Sequence, residues 1–241
     1  MLEAAFWGLV GGIALLVGAL MALYLRISTR FIGLVMGFGT GVLFSAVAFE
    51  LTRDAYELAG ADAVVLGLLA GALVFFGGDW VLDHRGANRR KSPTGMQADA
   101  TSSALVLGAL LDGIPESAAI GVSLIGGQGV GVAVVAAVFL SNIPEGLSAS
   151  AGMKASGRST RSILTMWAVV ALICTAAAAL GYGLLGSAPP GVIAVTQSFA
   201  AGAILTMLSD TMVPEAVKHA GPLVGLVTAL GFACAFLLST A

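Results

Sequence analysis

Long apolar stretches of about twenty residues alternate with short polar or Gly/Pro-containing connections along the chain. A helix needs about 20 mostly apolar residues to cross the hydrocarbon core of a bilayer. The stretches lack the apolar/polar alternation of membrane β-strands, and they are too long for such strands. The pattern predicts an all-α polytopic membrane protein with eight transmembrane helices, at 4–25, 31–51, 62–82, 102–125, 129–152, 160–186, 191–213 and 221–240.

The composition agrees with this class of protein. Hydrophobic residues make up 58% of the 241 positions and charged residues only 10%, whereas soluble domains carry about 25% charged residues. A formal net charge of −2 provides no basic patch for phosphate binding, so nucleic acid is excluded as a partner. The lipid bilayer is the expected surrounding. Two cysteines, both in apolar runs, offer no disulfide framework.

The positive charges predict the orientation in the membrane. Ten of the eleven Lys and Arg residues lie in or beside the connections that follow spans 1, 3, 5 and 7, and cytoplasmic connections carry the excess of positive charge. We expect a multi-pass protein of the cell (inner) membrane with both termini outside the cytoplasm. Residues 1–241 form a single transmembrane domain, and 83–100 form a cytoplasmic loop between spans 3 and 4. Because Glu3 and no basic residue precedes the first stretch, it is predicted to be a span and not a signal peptide.

Two similar motifs place carboxylates at bilayer depth. Asp112-Gly-Ile-Pro-Glu116 lies in span 4 and Ser141-Asn-Ile-Pro-Glu145 in span 5. Residues four apart share one helix face, and each proline removes a backbone hydrogen bond and frees a carbonyl oxygen. Charged groups at this depth must face the protein interior or a water-filled cavity. We expect the two kinked helices to bring these acids together.

Converging carboxylates repel unless a cation lies between them or one is protonated. A divalent metal ion meets this demand. Two other interpretations remain open: a proton relay built from the same carboxylates, and helix kinks whose acids only cap a broken turn. An intramembrane hydrolase with a metal-bound water is less favoured because no activated nucleophile or histidine accompanies the acids.

Together with the stretch 202–216, the two motifs resemble those of ZIP (Zrt/Irt-like) divalent metal transporters. The resemblance covers nearly the whole chain. It implies an inverted repeat of spans 1–3 and 6–8 around spans 4–5, with spans 1, 4, 5 and 6 carrying the site against a scaffold of 2, 3, 7 and 8 that forms a homodimer. It also implies transport, not enzymatic activity: a divalent cation moves into the cytoplasm by alternating access.

The resemblance also implies a ligand set for the transported metal. ZIP proteins typically have histidine where Asp112 stands, and many have a bridging Glu where Cys174 stands. One metal position is therefore expected, with Asp112, Glu116 and Glu145 as ligands and with Ser141, Asn142, Cys174 or water completing the shell. Zinc accepts carboxylate and thiolate ligands and is the first candidate substrate, while Mn²⁺ and Fe²⁺ also suit an oxygen-rich site.

Other acids have weaker assignments. Asp210, Glu215 and His219 could line a cytoplasmic exit, and Glu50 with the acids that follow it could attract cations outside. Asp79 and Asp83 are expected at the membrane interface. A short likeness between 41–45 and 202–206 supports the inverted repeat.

Overall fold

The computed structural model of the protein describes residues 1–84, 90–95, 102–125 and 131–239. Within these ranges every regular element is helical, which confirms the all-α prediction. The elements are α1 (Leu2–Tyr24), α2 (Thr29–Ala46), a π-helical segment (Val47–Thr52), α3 (Arg53–Leu82), α4 (Ser102–Ser123), α5 (Val132–Ala155), α6 (Thr160–Leu185), α7 (Pro190–Met207), a second π-helical segment (Leu208–Met212), α8 (Val213–Ala220) and α9 (Leu223–Ser239).

Several of these helices are long enough and apolar enough to cross a membrane. Among the described residues, six helical stretches meet both conditions, and α9 is a shorter apolar helix. One of the six runs for 54 residues, from Thr29 to Leu82. At 1.5 Å per residue it would span roughly 80 Å, far more than a bilayer core. Gly60 interrupts it with a φ of 76°, between predicted spans 2 and 3. The chain is thus a multi-pass membrane protein, and the count of eight spans stays a prediction.

Helix starts follow from the local sequence. Ser28 and Ser159 precede α2 and α6, and each hydroxyl accepts a hydrogen bond from a first-turn N–H group, at 3.3 Å and 3.2 Å. Such caps satisfy backbone donors that have no partner within the helix. Pro190 opens α7, where its missing N–H costs nothing. The helices α2, α6 and α7 therefore begin within a few residues of the predicted starts of spans 2, 6 and 7.

The order of elements in the first half returns in the second. In each half an 18-residue helix is followed by a π-helical segment, a short helical stretch and a glycine with positive φ. The same 161 residues separate three pairs of landmarks: Thr29 and Pro190, Val47 and Leu208, and Gly60 and Gly221. The predicted likeness of 41–45 to 202–206 has this spacing too. That the two halves run in opposite directions remains a prediction.

Helices of the first half also pack against helices of the second half. Helix α2 packs along α9, and α7 packs along α3. Small residues make both contacts close: a Cβ atom at Gly41 would lie 1.9 Å from the Thr228 carbonyl oxygen, and one at Gly202 would lie 2.1 Å from the Leu68 carbonyl oxygen. Each half therefore completes the other, with equivalent glycines at equivalent contacts.

Helices α1, α4, α5 and α6 form a second group. Helix α1 packs against α5 and α6, and α4 packs against α6. A Cβ atom at Gly18 would lie 2.1 Å from the Ile143 carbonyl oxygen, and one at Gly146 would lie 2.2 Å from the Leu15 carbonyl oxygen. This contact seats the Pro-Glu motif of α5 directly on α1.

The glycine contact between α2 and α9 can be tested by substitution. Gly41→Ala should lower the midpoint of thermal unfolding in detergent, because the added methyl group meets backbone and overpacking costs about 1–3 kcal/mol. The matched control is Gly77→Ala, since a Cβ atom there meets nothing within 4 Å. It should leave the midpoint unchanged or raise it, because alanine favours helix by up to about 1 kcal/mol. Equal behaviour of the two variants would contradict the packing described.

Candidate metal site

The two Pro-Glu motifs lie inside helices and face the protein interior. Pro115 is within α4 and Pro144 within α5. Asp112 and Glu116 are each 1% exposed, and Glu145 is 3% exposed. The three acids therefore face the protein interior, as the sequence predicts.

A short segment between α3 and α4 is inserted beside these acids. Residues 90–95 are described, while 85–89 and 96–100 of the predicted loop lie outside the described residues. Arg90, Lys91 and Ser92 are all buried. The Ser148 hydroxyl on α5 donates a hydrogen bond to the Lys91 carbonyl oxygen, which ties the segment's backbone to the helix that carries Glu145.

Arg90 joins two helices through their carboxylates. Its Nη2 and Nε atoms lie 3.0 Å and 3.2 Å from the two Asp112 carboxylate oxygens, in a fork geometry, and its Nη1 donates to Asp79 on α3. Bidentate pairs of this kind are among the stronger protein hydrogen bonds. Asp79 is only 9% exposed, and its place at the membrane interface stays a prediction.

Lys91 brings Asp112 and Glu145 to one point. Its Nζ lies 3.3 Å from Asp112 Oδ2 and 3.2 Å from Glu145 Oε2. Burial lowers the pKa of the Lys91 ammonium, but the Asp112 and Glu145 carboxylates outweigh that effect and hold the pKa above its ordinary value. Lys91 is thus a positive charge shared by one acid from each motif.

Glu116 has no such partner. Both of its carboxylate oxygens are buried, and within the described part of the chain neither has a hydrogen-bond partner. A buried polar atom left in this way costs free energy and calls for an explanation such as an ion or water. The two basic residues thus leave one buried acid of the motifs unsatisfied.

The three remaining predicted ligands make contacts of their own. The Ser141 hydroxyl donates to the Val138 carbonyl at 3.0 Å on its own helix. Asn142 Nδ2 donates to the Gly11 carbonyl of α1 at 3.0 Å, which secures α5. Cys174 is buried on α6 and faces α4, since a Cβ atom at Gly113 would lie 2.7 Å from its sulfur.

Two cavities meet at the basic pair. A small one, about 10 Å³, is lined by Arg90, Lys91, Asp112 and Glu145 together with apolar residues. A larger one, about 330 Å³, is lined by these residues: Asp79, Asp83, Arg90, Lys91, Asp210, Thr211, Pro214, Glu215 and Lys218. In the ranges that the structure describes, no group of three His, Cys, Asp or Glu side chains is arranged to hold a metal ion as it stands.

The weaker candidates lie elsewhere. Glu215 pairs with His219 at 2.8 Å and also faces Lys218, on the larger cavity. The outer acidic run includes an exposed pair between Arg53 and Glu57 at 2.9 Å. These groups do not join the cluster of Asp112 and Glu145.

Sequence reasoning missed Asp79, Arg90 and Lys91 as members of the cluster. The two basic residues counted only toward the orientation of the chain. One signal was present: the spans contain several acids but hardly any Lys or Arg, so any internal counter-charge had to come from a connection. Which connection supplies it cannot be read from local pattern.

Comparison with known proteins finds a relative that is named as a transporter. The chain is 29% identical over 208 residues, 85% of its length, to a protein of Arabidopsis thaliana that is named as a proposed zinc transporter. The chain spans about one third of the length of that relative, 33%. No protein-family model matches the chain. The relative's name agrees with the resemblance to ZIP metal transporters and with a role other than that of an enzyme.

The buried ion pairs of Arg90 predict a strong effect on stability. Arg90→Met should lower the free energy of unfolding by about 3–5 kcal/mol, because it leaves Asp79 and part of Asp112 as uncompensated buried charge. Arg53→Met is the matched control, since its pair with Glu57 is 67% and 60% exposed and exposed pairs contribute little. Thermal unfolding in detergent measures both. Similar losses in the two variants would contradict the assignment.

Proposed function

We propose that the protein transports a divalent metal cation, with Zn²⁺ as the first candidate, into the cytoplasm through a site formed by α4 and α5. One observation carries the proposal: Asp112 and Glu145, one from each motif, lie 3.3 Å and 3.2 Å from a single cationic group. The name of the plant relative supports zinc as the substrate.

The charges of the cluster favour a cation. Asp79, Asp112, Glu116 and Glu145 provide four carboxylates, and Arg90 and Lys91 provide two positive charges. When all are ionised the cluster carries a net charge of −2, in surroundings where an unpaired charge is expensive. A divalent ion at Asp112, Glu116 and Glu145 offsets that charge. The unpartnered oxygens of Glu116 are the free ligand atoms that such an ion needs.

The donor set bears on which metal is carried. Asp112, Glu116 and Glu145 supply carboxylate oxygens, Ser141 and Asn142 supply neutral oxygens, and Cys174 on α6 adds a sulfur. Carboxylate and thiolate together suit zinc, whereas the same oxygens without the thiol suit Mn²⁺ or Fe²⁺. Cys174 is therefore the residue whose removal should shift the preference away from Zn²⁺.

The arrangement of helices supports a carrier. The site lies in the group α1, α4, α5 and α6, which packs against the reciprocal pairs α2–α9 and α3–α7 where α2 meets α5 and α7 meets α4. Movement of the first group against the second exposes the site to alternate sides of the membrane, with the termini outside. The larger cavity, which reaches exposed Asp210, is the route on the cytoplasmic side. The scaffold is the surface of a homodimer.

Metal uptake into proteoliposomes tests the proposal. Purified protein should carry Zn²⁺ into vesicles that contain a zinc-sensitive dye, and Glu116→Gln or Glu145→Gln should reduce the initial rate at least about tenfold, because each removes a charged ligand. Glu3→Gln is the matched control, since Glu3 is exposed at the start of α1, and it should leave the rate unchanged.

Parallel vesicles with a pH-sensitive dye separate the metal carrier from the proton relay. Proton flux that needs no metal, together with no uptake of Zn²⁺, Mn²⁺ or Fe²⁺, would contradict the proposal. Uptake that persists in both glutamine variants would remove the site assignment.

The role of Cys174 predicts a change of selectivity. Cys174→Ser should lower the ratio of Zn²⁺ uptake to Mn²⁺ uptake several-fold, because a hydroxyl oxygen replaces the softer sulfur. Cys234→Ser serves as the matched control, since Cys234 lies on α9 outside the cluster. Competition between the two metals in the same vesicles measures the ratio, and an unchanged ratio would exclude Cys174 as a ligand.

A further inference from the structure

Two basic residues of a connecting segment are buried at the proposed metal site. Arg90 is 5% exposed and Lys91 is 3% exposed, although such side chains almost never become fully buried unless they are paired. Burying each ion pair removes water from around both charges, which costs free energy. The segment is therefore held by the same carboxylates that are proposed to hold the transported metal.

We propose that Lys91 is a tethered cation that competes with the transported metal ion for Asp112 and Glu145. This inference rests on the proposed function, because it assigns an internal competitor to that same site. Metal binds only to the fraction of molecules from which the Lys91 ammonium has withdrawn. The apparent dissociation constant for metal is raised by the inverse of that fraction.

The space at the site requires this exchange. With Lys91 in place, the cavity against Asp112 and Glu145 measures about 10 Å³, which is at most the room for one water molecule. The ammonium already lies within 3.3 Å of both carboxylates. A metal ion needs contacts of about 2.0–2.2 Å to the same oxygens, so the ammonium and the ion exclude each other.

The contacts of Lys91 are of a kind that can exchange. Lys91 Nζ and Glu145 Oε2 are 3.2 Å apart, and neither atom meets the geometry of a well-aligned hydrogen bond in the described structure, so the contact is only weakly directed. The side chain is a flexible four-carbon stem with a compact charge. Lys91 also lines the larger cavity of about 330 Å³, which gives the withdrawn ammonium a polar place beside Asp79 and Asp210.

Arg90 has a different role from its neighbour. Its fork on Asp112 and its bond to Asp79 join α3 and α4, and these directed bonds are stronger than the contacts of Lys91. Ser148 holds the Lys91 backbone from α5. The segment thus stays anchored while the Lys91 side chain alone moves, which makes the competition local and reversible.

Zinc affinity of the purified full-length chain tests the competition. With Zn²⁺ alone as the probe and a chromophoric chelator as the competitor, Lys91→Met should bind Zn²⁺ at least about tenfold more tightly than wild type. Lys218→Met is the matched control, because it removes the same charge from the rim of the larger cavity, where Lys218 pairs with Glu215. Its dissociation constant should change less than about threefold.

A second pair of measurements does not depend on that variant. In wild type, saturating Zn²⁺ should raise the rate at which an amine-reactive reagent labels Lys91, read by mass spectrometry, while labelling of the exposed Lys218 stays constant. Ser148→Ala removes the bond to the Lys91 backbone and keeps every charge. It should tighten Zn²⁺ binding about threefold, which a purely electrostatic influence of Lys91 does not predict.

The outcomes separate this inference from the proposed function. If wild type and Lys91→Met bind Zn²⁺ equally and Zn²⁺ uptake is intact, the tethered cation is overturned and the transporter stands. If Lys91 stays unlabelled at saturating Zn²⁺, the inference is overturned as well. If neither protein binds or transports Zn²⁺, Mn²⁺ or Fe²⁺, both proposals fail. Tighter binding by Lys91→Met with zinc-dependent labelling of wild type supports both.

Discussion

Carboxylates buried among apolar helices must be paired with positive charge, and this constraint organises the centre of the molecule. Asp79, Asp112 and Glu145 lie on three different helices, and Arg90 and Lys91 hold them together from one short segment. The cost of removing these charges from water is large and is recovered only while the pairs persist. Glu116, buried without a partner in the described structure, marks where the compensation is incomplete.

Close packing of α1 against α5 fixes one side of the cluster. Gly18 and Gly146 let α1 and α5 approach until backbone meets backbone, and Asn142 ties the same two helices together by a side-chain bond to Gly11. Glu145 therefore projects from a helix that is fixed in height and rotation. The other side of the cluster contains the segment 90–95, which Arg90 and Ser148 anchor, so adjustment to a different cation falls on the Lys91 side chain.

Much of this arrangement could be predicted from the sequence. Hydrophobic length located the helices, and the spacing of Asp112 to Glu116 and of Ser141 to Glu145 predicted inward-facing acids, because both properties are local. The insertion of Arg90 and Lys91 could not be predicted, since it depends on contacts with α3, α4 and α5 that local pattern does not encode. The pairing of Asp79 could not be predicted for the same reason: its partner Arg90 lies eleven residues away, in the described segment 90–95, which has no helix or strand.

The packing of helices from one half on helices of the other has a consequence for biosynthesis. Gly37 accepts a hydrogen bond from Thr228, 191 residues further along the chain, and the glycine-lined face of α2 is covered by α9. A ribosome that has just delivered α2 to the bilayer cannot yet supply the helix that covers it. Until α9 is made, the glycine-lined face of α2 contacts lipid acyl chains. The scaffold therefore assembles late, after most of the polypeptide has entered the membrane.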